Sequence, residues 1–501
     1  MIRRRLFPLL LLTTLFFLPR SAPADDPKPV RLDVTVKEAD ASLDTEWFGI
    51  YMEDKNKEDK KDFKKIGYFM ASRTKVKDGD QTFYREKAIF SMKLVSFGQK
   101  SELKTDQVID FDSTPPFRML RAEYQHTDDK VSQKITLVRK DKGYETTITV
   151  AGVDTTKQMD FDYTMADSMS SEVWLKRRPR KDDSIATRDL EMEELKLQIS
   201  TTTLLDTRET MIGGVKTTVF DVKNYNHTSK LESKSLYDDK AHMISSTVGF
   251  FEMRRETEEA AKNTEYSTDL FMKGLAKLDK GIGDGSTVTA LVLESTGEAG
   301  GLLPEGPRQT VVAKGKDVFE LKLGKKYGKQ VKATPEQIKE ALEESTAYPI
   351  NDPQVKALAK KAIGDAQTDQ DKVKRLVEFV HNYIRPSLAA SMPKMHDLMK
   401  RKAGDCKSYA LMFTCLARAA ELPSREVSGF VYIGDSMKAF GGHAWNEVLL
   451  DGYWVPVDAS SNETEIDATH ICLGTDKDSS SNLLKTFGKL HFKLIDVEGG
   501  K

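Results

Sequence analysis

Residues 404–410 read Gly-Asp-Cys-Lys-Ser-Tyr-Ala. Gly404 permits a tight turn, and Asp405 is a good N-cap for a helix that begins at Cys406. A thiol in the first turn of a helix meets unpaired backbone N–H groups and the positive end of the helix dipole, which favour the thiolate. Cys406 is therefore predicted to be a nucleophile whose backbone N–H donates to a developing oxyanion. The alternative role, a small buried residue, fits Cys415 better.

A tight hairpin downstream supplies the base that a thiol nucleophile needs. The pair Asp451-Gly452 is a strong signal for a two-residue turn. With that turn Trp445 stands opposite Asp458, so His443 and Asp458 share one face as diagonal neighbours, roughly 7 Å apart at their Cα atoms. A three-residue loop would turn Asp458 to the other face. We predict that His443 is the base and that Asp458 orients it.

Three blocks of sequence carry a resemblance to a known family. They are residues 404–413 (Gly-Asp-Cys-Lys-Ser-Tyr-Ala-Leu-Met-Phe), 442–448 (Gly-His-Ala-Trp-Asn-Glu-Val) and 454–458 (Trp-Val-Pro-Val-Asp). Together they resemble the transglutaminase-like superfamily, over roughly Pro335 to Lys493. The resemblance implies a papain-like α+β fold and a catalytic triad of Cys406, His443 and Asp458. In that fold a helix delivers the cysteine to an antiparallel sheet that carries the other two residues.

Two further positions bear on the resemblance. Glu421 stands where relatives often have glycine before Leu-Pro, and we interpret it as a surface change. Residues 466–471, Ile-Asp-Ala-Thr-His-Ile, resemble a segment that follows the aspartate block in bacterial members. We interpret His470 in this segment as structural.

The rest of the chain is predicted to be rich in strands. Alternating runs such as residues 144–150 (Tyr-Glu-Thr-Thr-Ile-Thr-Val) predict a large antiparallel β-rich domain, of unknown role, at residues 25–270. Residues 253–277 are rich in Glu, Lys and Ala and are predicted to be helical. Residues 271–332 are predicted to be a connecting β segment and linker, and residues 333–501 the transglutaminase-like domain. The predicted fold class is α+β.

The N-terminus has the pattern of an export signal. Arg3-Arg4-Arg5 is followed by an apolar stretch from Leu6 to Leu18 and by Ala22-Pro23-Ala24, which fits a signal-peptidase site. The apolar stretch is shorter than the roughly 20 residues of a membrane span, so residues 1–24 are predicted to be a removed signal peptide. We expect a mature chain that has no transmembrane span and works in a periplasm or outside the cell.

Three cysteines in a chain of 501 residues do not form a disulfide framework. An odd number leaves at least one free thiol. Cys415 and Cys472 either pair with each other, which leaves Cys406 reduced, or are two small buried apolar residues.

Charge and motifs exclude several classes of partner. The chain has 77 basic and 78 acidic residues and a formal net charge of -1, so nucleic acid is not an expected partner. The sequence contains neither His-Glu-x-x-His nor Cys-x-x-Cys. We expect neither a metal nor another cofactor.

These observations predict a thiol enzyme that acts on peptide or carboxamide bonds through a Cys406 thioester. Its substrate would be a protein, a peptide or an envelope polymer. Hydrolysis by a peptidase or amidase is favoured because water is always present, and a protein-crosslinking transglutaminase is the alternative. An envelope binding or scaffold protein with a silent transglutaminase-like fold is the alternative of another class. The second oxyanion donor stays open among Asn382, Tyr383 and His396, and the oligomeric state stays open as well.

Overall fold

A computed structural model describes residues 27–55, 61–128, 132–330, 332–387, 393–475 and 482–500. The predicted signal peptide, residues 1–24, lies outside the described residues. The chain divides into two compact units, of which the first comprises residues 27–95 and 100–268 and the second residues 96–99 and 269–500. Within the described segments, no helix combines the length and the apolar character that a membrane span requires.

The described part of the first unit is a 14-stranded antiparallel sheet with three helices. Neighbouring strands follow the chain, except that the first strand pairs with the last: the order is β8-β7-β6-β5-β4-β3-β2-β1-β14-β13-β12-β11-β10-β9. The strands are β1 Asp44–Lys55, β2 Lys61–Asp78, β3 Gln81–Ser96, β4 Gln99–Asp112, β5 Met119–Thr127, β6 Ser132–Arg139, β7 Tyr144–Val150, β8 Val153–Met159, β9 Ser184–Glu191, β10 Lys196–Ile212, β11 Val215–Asn226, β12 Leu231–Asp238, β13 Met243–Val248 and β14 Phe251–Glu256, and the helices are α1 Val36–Ala41, α2 Met165–Lys176 and α3 Glu258–Lys262.

This sheet confirms the predicted antiparallel, strand-rich region. In β7 the residues Tyr144, Thr146, Ile148 and Val150 are buried and their neighbours are more exposed, as expected for a strand with one face on a core. The first and the last strand of this region belong to one sheet, because β1 and β14 pair with each other.

The helix predicted over residues 253–277 is wrong. Its first residues belong to β14, where Phe251 and Met253 are buried on one face. This alternation of buried and more exposed residues favours a strand, and it outweighs the helix propensity of the Glu and Lys residues that follow. Helices form only later and are short, at α3 and at Leu270–Lys273.

The described part of the second unit contains a nine-stranded mixed sheet and a layer of helices. The main strand order is β17-β18-β16-β25-β15-β22-β21-β24, with β23 paired to β22 and a separate small ladder of β19 with β20. The strands are β15 Ala276–Leu278, β16 Ala290–Thr296, β17 Gln309–Gly315, β18 Val318–Leu323, β19 Arg385–Pro386, β20 Ala403–Gly404, β21 Ser424–Tyr432, β22 Ala439–Leu450, β23 Tyr453–Val457, β24 Ile471–Thr475 and β25 His491–Glu498, and the helices are α4 Leu270–Lys273, α5 Pro335–Glu340, α6 Pro353–Ile363, α7 Asp369–Tyr383, α8 Met395–Arg401 and α9 Cys406–Ala419.

Strands β15 to β18 come from the stretch predicted as a connecting segment, residues 271–332. In the structure they belong to the same sheet as β21 and β22. Leu291 and Leu321 of this stretch are buried in one apolar cluster with Phe440 of β22. The apolar side chains of these strands thus belong to a core that they share with the other strands of the sheet, and not to a core of their own.

Helix α9 packs on the hairpin of β22 and β23 through a second apolar cluster. The cluster joins Met412 and Leu416 of α9 to Val448 and Val457 of the hairpin, which lie on the face opposite His443 and Asp458. Asn446, fully buried in the same face, donates to the Ala410 carbonyl at 3.0 Å and to the Thr414 hydroxyl at 2.8 Å. These two bonds fix the helix against the strand.

We predict that Asn446→Ala lowers the free energy of unfolding by about 1–3 kcal/mol, because a buried amide that links two elements is lost. Urea unfolding followed by tryptophan fluorescence measures this change. Asn351→Ala is the matched control, since Asn351 is exposed, and it should change the free energy by less than about 0.5 kcal/mol. Equal stabilities of the two variants would contradict the prediction.

Candidate active site

Cys406 is the first residue of α9, as the sequence predicts. Asp405 is the N-cap and its side chain accepts from the backbone N–H of Ser408. Gly404 is required by close packing, since a Cβ there would lie 2.1 Å from the Ser408 Oγ atom. The Cys406 thiol is half-buried and lies in the first helical turn, where backbone N–H groups and the helix dipole favour a negative charge.

The hairpin that carries His443 and Asp458 has the predicted register. Leu450 pairs with Tyr453 across the Asp451-Gly452 turn, and the ladder continues to Asn446 opposite Val457. Both turn residues have positive φ, 52° and 83°, as a type I′ turn requires. The next position in this register is Asp458, and the His443 Nε2 atom lies 2.7 Å from its Oδ2 atom.

Asp458 is a buried carboxylate that is held from both sides. Its relative exposure is 1%. Its Oδ1 atom accepts from the backbone N–H and the hydroxyl of Ser460, both at 2.7 Å, and from the Ser461 N–H at 3.4 Å. Burial acts to raise the pKa of this carboxyl group, but the charge and hydrogen bond of His443 dominate and hold the pKa well below its usual range.

The protonated form of His443 is correspondingly favoured. Burial acts to lower its pKa, but the charge of Asp458, the hydrogen bond to it and the Cys406 thiol together raise the pKa to about 10. Because Nε2 is bonded to Asp458, Nδ1 is the ring nitrogen that remains for the thiol. The structure thus brings all three predicted residues together, with both the carboxylate and the thiol beside one imidazole.

A fourth residue of this cluster was not recognised as such from the sequence. The His470 Nε2 atom lies 3.4 Å from the Asp458 Oδ2 atom, and its Nδ1 atom lies 3.1 Å from Asp467 Oδ1. The ring packs edge-on against Trp445 at 5.2 Å between centroids. The available signal was the similarity of residues 466–471 to a segment that follows the aspartate block in relatives, but the spacing does not show that the loop folds back.

The other two cysteines, Cys415 and Cys472, are both free thiols. Burial raises the pKa of the Cys415 thiol, and burial raises the pKa of the Cys472 thiol to about 12. Of the two open alternatives, the structure therefore has them unpaired.

The three candidates for a second oxyanion donor are bonded elsewhere. Asn382 donates to the Glu378 carbonyl at 2.8 Å and the Tyr383 hydroxyl to the Met399 carbonyl at 3.2 Å. The His396 Nε2 atom lies 3.1 Å from Asp352. None of these described contacts joins one of the three side chains to Cys406.

The cluster also has donor atoms of a kind that can bind a cation. His443, Asp458 and His470 each place one within 4.8 Å of the others, and so do Glu463, Asp467 and His470. Imidazole and carboxylate are zinc ligands. Here the same ring nitrogens are hydrogen-bonded to carboxylates, so the arrangement is complete as a network of proton donors and acceptors.

We predict that iodoacetamide near pH 7 alkylates Cys406 and leaves Cys415 and Cys472 unmodified, because only the first thiol has a cationic partner and a helix N-terminus. Peptide mass mapping identifies the modified thiols. Unfolded chain is the control and should be labelled at all three positions. Equal labelling in the folded chain would contradict the assignment of Cys406.

Comparisons with known proteins find a family match and a curated relative. Residues 356–459 match the family model described as the transglutaminase-like superfamily. A curated relative, kyphoscoliosis peptidase of Homo sapiens, is 26% identical over 114 residues, which are 21% of this chain and 17% of the relative. The match thus spans less than a fifth of that relative's length.

Two solved structures show weak overall similarity. One, a candidate cysteine protease from Cytophaga hutchinsonii, is 13% identical with a TM-score of 0.28, and the alignment covers 43% of this chain and 84% of that one. The other, a beta-barrel-like protein of a domain of unknown function from Brucella abortus, is 10% identical with a TM-score of 0.29, covering 42% and 95%. The family match is the informative one: residues 356–459, which contain the three sequence blocks, match the transglutaminase-like superfamily, and this confirms the resemblance of those blocks.

Proposed function

We propose that this chain is an exported thiol enzyme that hydrolyses peptide or carboxamide bonds through a thioester on Cys406. One observation carries the proposal. A buried carboxylate, Asp458, holds the His443 imidazole at 2.7 Å, and the Cys406 thiol at a capped helix N-terminus is the other neighbour of that imidazole. This is the nucleophile, base and orienting residue of a papain-like site, in which a helix presents the cysteine to a sheet.

The charges of the site define the resting state. Because Asp458 favours the protonated form of His443, a cation faces the Cys406 sulfur. The helix dipole and the backbone N–H groups of the first turn also favour negative charge at this sulfur. These groups stabilise the thiolate that attacks the substrate.

Acylation follows from this state. The Cys406 thiolate attacks the carbonyl carbon, and the developing oxyanion is placed near the Cys406 backbone N–H. His443 then gives its proton to the leaving amine or ammonia as the C–N bond breaks, which leaves a thioester and a neutral imidazole. Asp458 keeps the ring in place during both charge states.

Deacylation reverses these roles. Neutral His443 takes a proton from water, the resulting hydroxide attacks the thioester, and the thiolate leaves. An amine acceptor would follow the same path and give a cross-link instead. Hydrolysis is proposed because water is always available, whereas transfer needs a site that holds an amine.

We predict that dimethylated casein, which lacks free lysine amines, releases ammonia or new α-amino groups with the wild-type chain. One leaving amine is released for each thioester whichever acceptor follows, so hydrolysis equals the amine released minus the added dansylcadaverine incorporated, and we expect hydrolysis to be the faster path. Cys406→Ala should abolish both signals, and Asp458→Asn should lower the rate about 100-fold or more, because the imidazole loses its orienting charge. Incorporated fluorescence measures transfer, and the amine released minus the fluorescence incorporated measures hydrolysis. Faster incorporation than hydrolysis would favour the crosslinking alternative, and products formed by Cys406→Ala would refute the thioester route.

Export belongs to the same proposal. The pattern of residues 1–24 is that of a removed signal, and an oxidising compartment is compatible with a site that uses one reactive thiol and no disulfide.

We predict that a fusion of residues 1–40 to alkaline phosphatase, an enzyme active only after export, is active. The mature N-terminus should be Asp25. A fusion that stays inactive while Arg3-Arg4-Arg5 and the apolar stretch are intact would contradict export.

A further inference from the structure

The Asp458 carboxylate accepts from two imidazoles. Its Oδ2 atom lies 2.7 Å from Nε2 of His443 and 3.4 Å from Nε2 of His470. The two rings are 5.6 Å apart between centroids. The base of the proposed reaction therefore shares its orienting oxygen with a second histidine, which lies behind the site and is fully covered, with 1% of its side chain exposed.

Both nitrogens of His470 face carboxylate oxygens. Nε2 faces Asp458, and Nδ1 lies 3.1 Å from the Oδ1 atom of Asp467. A neutral imidazole has one N–H and one lone pair, and an ionised carboxylate can only accept. Two such contacts are therefore satisfied together only by an imidazolium that donates from both nitrogens.

The charged groups around His470 come from each element packed against it. His443 belongs to β22, Asp458 follows β23, and Glu463 and Asp467 lie in the loop that leads to β24. Burial acts to lower the pKa of His470, but its bonds to Asp458 and Asp467 raise the pKa above its ordinary value despite the nearby charge of His443. Burial and the charge of Asp467 raise the pKa of Glu463, which weakens its role as a third anion.

We propose that His470 is a positioning residue for the proposed reaction: as an imidazolium bridging Asp458 and Asp467, it directs one carboxylate oxygen at His443 and offsets part of the charge that His443 experiences. This inference rests on the proposed function of Cys406. It adds a role for a residue that lies outside the predicted triad.

The contact of His470 changes the charge around Asp458 more than it changes the position of the Asp458 carboxylate. Ser460 and Ser461 already hold the Oδ1 atom of Asp458, so the carboxylate keeps three donors without His470. What those neutral donors do not supply is a second positive charge opposite the carboxylate. Without that charge Asp458 would bind the proton of His443 more tightly, and the Cys406 thiolate would lose a nearby cation.

The first test measures protonation directly. The full chain, labelled with [15N]histidine, contains eight histidines, and His470→Asn identifies the resonances of His470. We expect both ring nitrogens of His470 to stay protonated at pH 7–8. In Asp467→Asn, which removes one of the two stabilising charges and keeps the shape, the ring should lose its proton at least about one pH unit lower. A neutral His470 ring at pH 7 would overturn the proposal.

The second test measures the effect on the thiol. The rate of Cys406 alkylation by iodoacetamide is followed against pH in the wild type, His470→Asn and Asp458→Asn. Removal of a nearby cation raises the pKa of each neighbouring acid, so the midpoint for His470→Asn should move upward by about one pH unit, a tenfold loss of rate on the acidic limb. His242→Asn, a change of another buried histidine bonded to a carboxylate, is the matched control and should leave the midpoint unchanged.

The outcomes separate the two proposals. An unchanged midpoint in His470→Asn overturns the inference about charge. A midpoint equal to that of Asp458→Asn also overturns it, because His470 would then only keep Asp458 in place. If wild-type Cys406 reacts like an ordinary thiol, the proposed function fails, whereas the protonation of His470 is still decided by the first test. If His470→Asn does not fold, Asp467→Asn is used in both tests.

Discussion

The site depends on the placement of one charged group, the Asp458 carboxylate, out of contact with water. An ionised carboxylate in such a place is stable only if donors and cations surround it. The surroundings of Asp458 satisfy that condition through Ser460 and Ser461 on one oxygen and through two imidazoles on the other. The charge and the hydrogen bond of this carboxylate, in turn, favour the protonated form of His443.

The hairpin of β22 and β23 and helix α9 together place the other groups of the site relative to this carboxylate. The two-residue turn at Asp451-Gly452 sets the register that places the carboxylate beside the imidazole. The buried amide of Asn446 bonds to α9, and the thiol lies at the N-terminal end of that helix. The same face of the hairpin thus anchors the helix through apolar side chains, while the opposite face carries the ionised groups. A change of register by one residue would reverse the two faces.

Local signals made the placement of Cys406, His443 and Asp458 predictable from the sequence. The N-cap at Asp405, the turn at Asp451-Gly452 and the alternation of β22 each act within a few residues of the side chain they place. Long-range contacts could not be read in this way. The pairing of β1 with β14, the inclusion of β15 to β18 in the second sheet and the return of the loop that carries His470 depend on which surfaces meet in the folded chain. The helix expected over residues 253–277 failed for a related reason: the alternating buried face of β14 outweighed composition.

The free-energy cost of burying these charged groups supports the proposed role of the site. Burying ionised groups seldom stabilises a fold, since apolar residues of similar volume are often as good or better. The cluster nevertheless contains ionised Asp458 and Asp467 beside two imidazoles, within one short hairpin and its following loop. Structural stability alone would be served by fewer charges. In the proposed reaction, His443 holds a proton, releases it to a leaving amine and takes one from water. The energy of each of these charge states depends on how evenly the opposite charges are balanced around Asp458.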